Sequence, residues 1–277
     1  IQAAAQLKGT TVELMKMGEP GVPEMNAYIE EVLKEGETLG FDGRVVSVGE
    51  GEGYAAIAGK KNAKVNYQVD LIDEIWEDRP VLSEEPAFNL DVKYAGETVA
   101  SKLARIREEM KEAGTNVHVV STIDDICWTL NIRGNDIDFF PLVLSYGIIT
   151  MDSFELYIDE KKLDDKLKAK LAKDGVNLHP YNDIYEDVKK FGSDVVAMID
   201  PGKLNYALFN NIPENVKTVE KRNPAILMKA IKNPVEIENI RKAQIKDSVA
   251  HVRFMKWLKE NVGKMRITEM SASDKLD

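Results

Sequence analysis

The sequence predicts an α/β fold in which helices cover a mixed sheet, and three observations point to it. Segments with apolar residues at helical spacing alternate with short apolar runs along most of the chain. Two such runs, "LVLSYGIIT" and "SFELYID", follow each other with only Met151 and Asp152 between them, which predicts an antiparallel hairpin. The 277 residues are 44% hydrophobic, enough core for one large domain or two compact ones.

The elements follow in order. "PEMNAYIEEVLKEG" places Met25, Tyr28, Ile29, Val32 and Leu33 on one helical face, with Gly36 expected as a left-handed cap. "TLGFD" reads as a strand, "GEGEG" at 49–53 as a flexible turn, and "AKVNYQV" as a second strand. "DLIDEIW" reads as a short helix capped by Asp70. Residues 79–95 have no helical period and carry prolines and acids, so a linker is expected there. Val99, Leu103, Ile106 and Met110 mark a helix closed by Gly114, and "VHVVS" a buried strand. Thr122 and Asp125 form a capping-box-like start for "IDDICWTLN". Past the hairpin come a helix on Leu163, Leu167 and Leu171, the strand "VNLHPY", a helix on Ile184, Val188 and Phe191, and the strand "DVVAMID". A long helix runs from Pro234 to about Val262, its proline at a position that needs no amide hydrogen.

Composition excludes several function classes. A formal charge of -10 argues against nucleic acid or an anionic membrane surface as partner. The longest apolar runs fall far short of the ~20 residues that span a bilayer. The chain opens on Ile1 without a signal peptide, and that start reads as truncated. One cysteine, Cys127, forms no internal disulfide, which fits a reducing compartment and makes the cytoplasm the expected location.

Single residues offer little chemistry. His118, His179 and His251 share no metal-ligand spacing and read as structural or surface histidines; no metal site is expected in this chain. Cys127 sits in an apolar helix, where burial keeps the inert thiol. Asp124 and Asp125 read as first-turn acids complementing the helix dipole. Glu50 and Glu52 would repel an anion from "GEGEG".

The stretch "NIRGND" stands apart. A positive-φ turn at Gly134 would display Asn131, Arg133, Asn135 and Asp136 together at one end of the sheet. Arg133 then either clamps a carboxylate or pairs with Asp136 only to fix the turn. The residues alone do not choose between the two.

"STIDDICWTLNIRGNDIDFFPLVLSYGIIT" resembles the second-domain signature of the three-domain Xaa-Pro aminopeptidases (aminopeptidase P), of the creatinase/prolidase type. "IQAAAQLKGTTVELMKMG", "LIDEIWEDRP", "KAIKNPVEIENIRKAQIKDSVAHVRFMKWL" and "TEMSASDKLD" resemble other parts of it in the same order. Gln244 stands where many relatives carry histidine. The resemblance implies two creatinase N-terminal-like domains with mixed sheets flanked by helices: a truncated one at 1–78, the linker at 79–95, and a second at 96–232. Residues 233–277 would then start a pita-bread domain with its first helix. It implies a parent enzyme that removes the N-terminal residue from peptides with proline in second position, through a hydroxide activated by two divalent metals, usually manganese, and that forms a homodimer. The resemblance places those metal ligands beyond Asp277, so no catalytic residue is expected within this chain and the chain itself is expected to be inactive. It makes Arg133, Asp136, Asn131 and Asn135 candidates for a substrate-facing rim or a domain interface. A non-catalytic interaction module, as in a histone-chaperone subunit of this fold, is the alternative; two aspartates, a histidine and two glutamates following Asp277 would decide for the peptidase.

Overall fold

The computed structural model describes residues 1–277. It opens with α1 (Gln2–Gln6) and α2 (Met25–Val32), then β1 (Thr38–Gly40), α3 (Val48–Lys60) and β2 (Lys64–Asn66). β1 and β2 pair in parallel, and Leu33, Ile57 and Ala58 form a small core beneath them. Three buried residues make a meagre core, and backbone bonds tie this unit to the rest: Val48 N–H donates to Leu204 O and Ala207 N–H to Gly43 O. Val48 is itself fully buried in the main body.

The main body continues with β3 (Phe88–Asn89), α4 (Val92–Ala95), α5 (Val99–Glu112), β4 (Val117–Val120), α6 (Ile123–Leu130), β5 (Ile132–Arg133), β6 (Tyr146–Thr150) and β7 (Phe154–Tyr157). Then come α7 (Asp165–Lys173), β8 (Val176–His179), α8 (Ile184–Asp187), β9 (Val196–Ile199), α9 (Tyr206–Asn210), β10 (Lys217–Glu220) and α10 (Pro224–Ala230). Six strands form one sheet in the order β10-β9-β4-β6-β7-β8. The predicted hairpin is present as antiparallel β6–β7, and β4 pairs antiparallel with β6. The β10–β9, β9–β4 and β7–β8 pairs are parallel, so the sheet is mixed as predicted.

Alternation along the strands sends side chains to two cores. Val120, Ile149, Leu156 and Met198 meet α5, α6 and α7 on one face. Val119, Ile148, Ala197 and Ile199 meet α8 and α9 on the other. The chain ends in α11 (Pro234–Asn261) and α12 (Glu269–Leu276). Asn233 caps α11 in a capping box with Glu236, but none of its 28 residues is buried.

Several local expectations differ from the structure. "GEGEG" is the first turn and a half of α3, not a loop: Ser47 and Glu50 close a capping box, and a Cβ on Gly51 would lie 2.2 Å from the Tyr206 ring. Glycine is there because an aromatic ring rests on the helix backbone. α2 leaves helical geometry at Leu33, which is extended, and Gly36, with φ 79°, turns the chain further on. Residues 71–75 form successive turns, not a helix, although Asp70 does accept from the amides of Ile72 and Asp73. Within 79–95, β3 and α4 fold against the main body, with β3 pairing antiparallel to β5.

Candidate functional site

The candidate residues lie where α6 ends. Six of its eight residues, Asp125 to Leu130, are buried, so its C-terminal carbonyls cannot turn to water and need donors from the protein. Asn131 takes the left-handed conformation, φ 53° and ψ 39°, that ends the helix. Asparagine is among the few residues that accept it. Gly134 does not adopt positive φ; it is glycine because a Cβ would lie 2.7 Å from Val143 Cγ2. The turn is made three residues earlier than its glycine suggests.

Two cations close the helix end. Arg133 Nη1 donates to Cys127 O (2.7 Å) and to Ile132 O (2.8 Å). Lys102, on α5, donates to Trp128 O (2.7 Å) and to Asn131 Oδ1 (2.6 Å), with its ammonium 4.3 Å from the centre of the Trp128 ring. Positive charge at a helix C-terminus is favourable. Lys102 nevertheless is only 1% exposed, and burial pulls its pKa from 10.5 down to about 8. Burial also lowers the pKa of Arg133. Asn131 completes the set by donating from Nδ2 to Glu97 O (2.9 Å), while its carbonyl accepts from Leu90 N–H (2.7 Å).

Asp136 belongs to a different cluster. Its Oδ2 accepts from Lys162 Nζ (2.6 Å) and from Leu144 N–H (2.7 Å), and both side chains are at most 2% exposed. Its Oδ1 is buried without a partner. The Arg133–Asp136 pair weighed from the sequence does not form, because Arg133 bonds to Cys127 O and Ile132 O at the α6 end while Lys162 takes the aspartate. Asn135 is exposed. The segment therefore brings Asn131 and Arg133 together, sends Asp136 elsewhere and leaves Asn135 at the surface. Lys102 and Lys162 escaped the sequence reading. For Lys102 a signal existed: it follows Val99 by three and precedes Ile106 by four, a lysine on the apolar stripe of its helix.

The other polar residues find their partners within the fold. Cys127 is fully buried, its sulfur accepts from Val143 N–H (3.3 Å), and burial pushes its thiol up to about 11. Asp124 and Asp125 both pair with Lys229, and Asp125 also accepts from Asn223 and Thr122. These acids tie α6 to α10. A resident metal pair does not fit these side chains: His118 spends its ring nitrogens on Met198 O and Asn223 Oδ1, His179 is held by Glu155, and no three His, Cys, Asp or Glu side chains converge. No helix is long and apolar enough to cross a membrane.

The comparisons with known proteins agree with this architecture. The family model of the creatinase/prolidase N-terminal domain matches residues 78–236. The chain belongs to that family. Over its whole length it is 31% identical to aminopeptidase P2 of Arabidopsis thaliana, covering 43% of that protein, and 33% identical to Xaa-Pro aminopeptidase app-1 of Caenorhabditis elegans, covering 46%. The crystal structure of the X-prolyl aminopeptidase from Caenorhabditis elegans, described as a cytosolic enzyme with a di-nuclear active site, superimposes with a TM-score of 0.89 at 31% identity, over 96% of this chain and 44% of that one. The chain thus spans about half the length of the curated relatives it matches.

Proposed function

We propose that this chain is the non-catalytic scaffold of a Xaa-Pro aminopeptidase, whose whole protein removes the first residue from peptides with proline in second position. The observation that carries the reading is the superposition on the worm enzyme over 96% of the chain at 31% identity. Residues 1–78 form the first creatinase-like unit, 79–95 the connection, 96–232 the second unit, and 233–277 lead into a further domain. In the whole protein two divalent metals, manganese by resemblance, supply the hydrolytic chemistry. None of the side chains described above is assigned to them. Cytoplasmic residence and a homodimer belong to the same reading.

Arg133 and Asn131 then serve the domain interface, since Arg133 lines a cleft against the first turns of α11. Asp136 shapes the turn from inside. The whole protein with manganese is expected to release the first residue of an Xaa-Pro peptide, and the 277-residue chain to release none; release by the chain alone would refute the scaffold reading. Arg133→Ala in the whole protein is expected to lower stability or kcat/KM, and no change in either refutes the interface role.

A further inference from the structure

A cleft of about 210 Å³ separates the end of α6 from α4 and the first turns of α11. Lys102, Arg133 and Lys232 line it together with one carboxylate, Glu236. In a chain of net charge -10, three cations converging on one small cleft need an explanation. None of them is neutralised by a salt bridge. Lys102 bonds to Trp128 O and Asn131 Oδ1, Arg133 to Cys127 O and Ile132 O, and Lys232 to Lys229 O, all uncharged oxygens. Glu236 is engaged at Oε2 by Asn233 N–H (2.9 Å), as the cap of α11. Three positive charges against one negative leave the cleft at plus two.

Arg133 supplies the recognition element. Only its Nη1 is used, so Nε and Nη2 remain as a planar fork without acceptors. Neither nitrogen is a buried unpaired atom, so a ligand from solvent can reach them, and a guanidinium fork matches carboxylate and phosphate oxygens two at a time. The cleft is small, about 210 Å³, which suits a small ion with part of its hydration shell.

We propose that this cleft binds a small dianionic oxyanion, seated on the Arg133 fork between Lys102 and Lys232 and opposed by Glu236. Inorganic phosphate and short dicarboxylates share this chemistry. Because α11 forms one wall, a bound dianion bridges the second creatinase-like unit and the long helix, and is expected to fix their relative position.

The test is calorimetric titration of the 277-residue chain with sodium phosphate, with sodium succinate in a second arm, and sodium chloride at matched ionic strength as the control. One saturable site per chain for either dianion supports the proposal, and the tighter of the two identifies the source. Arg133→Gln is expected to weaken binding at least tenfold. Should that variant not fold, Glu236→Gln decides, because it keeps an oxygen for the α11 cap while removing the opposing charge; several-fold tighter binding is expected. Heats that follow ionic strength alone in both arms, or Glu236→Gln binding no more tightly than the unaltered chain, overturn the proposal.

Discussion

Lys102→Met, followed across pH, separates two effects of one buried cation. The ammonium is only 1% exposed, and its pKa falls from 10.5 to about 8 because burial disfavours its charge. At 1.36 kcal/mol per tenfold change, that fall corresponds to roughly 3 kcal/mol. Opposing it are the hydrogen bonds to Trp128 O and Asn131 Oδ1; leaving each buried acceptor unmet costs about 1–3 kcal/mol. The two effects are of similar size near pH 7, so the variant is expected to lose only modestly there. Between pH 8 and 10.5 the unfolded chain still holds the Lys102 proton while the folded chain has released it, so stability of the unaltered protein rises with pH. Methionine has nothing to titrate. The stability difference between the two proteins is therefore expected to widen by roughly 3 kcal/mol from pH 7 to 10.5. Urea unfolding followed by circular dichroism, in buffers free of phosphate and carboxylates, measures it. A difference that stays constant or narrows over that window refutes the burial argument.

Other substitutions probe the remaining contacts. Gly51→Ala gains helix propensity of about 1 kcal/mol but drives a methyl into the Tyr206 ring, and is expected to destabilise by about 1–3 kcal/mol. Gly59→Ala in the same helix meets nothing within 4 Å and is expected to stabilise; urea midpoints that move in the same direction for both contradict the ring contact. Asp136→Asn strands Lys162 as a buried charge and is expected to cost about 3–5 kcal/mol in the same assay, with a loss under 1 kcal/mol arguing against the pair. Cys127 is expected to resist thiol reagents in the native chain and to react promptly in urea, since its thiol is both covered and raised to about 11; fast labelling of native protein contradicts this.

The main sheet was legible in the sequence because its signals are local. The hairpin, the buried strand at 117–120 and the proline-started α11 each follow from period or punctuation within about fifteen residues. α3 was not legible, because its four glycines argue against a helix and the reason for Gly51 is a tyrosine 155 positions further on. The turn after α6 failed for a similar reason. Gly134 answers to Val143 across the core, and the left-handed role falls to Asn131, which the amide of Leu90 and the ammonium of Lys102 hold from other segments.

That misplacement explains why polar residues interrupt the core here. α6 ends inside the protein, so its last carbonyls demand buried donors, and Lys102 and Arg133 meet the demand from two other elements. Each carries a full charge where the helix end presents only about half of one. The excess positive charge cannot be cancelled by α6 itself; Glu236, across the cleft on α11, is the carboxylate that faces it. The electrostatics that close one helix therefore reach the next, and place an unsatisfied field between the end of α6 and α11. Removing Glu236 should raise anion affinity there, whereas removing Lys102 or Arg133 should lower it. A cleft whose charges served only to cap α6 would show neither response.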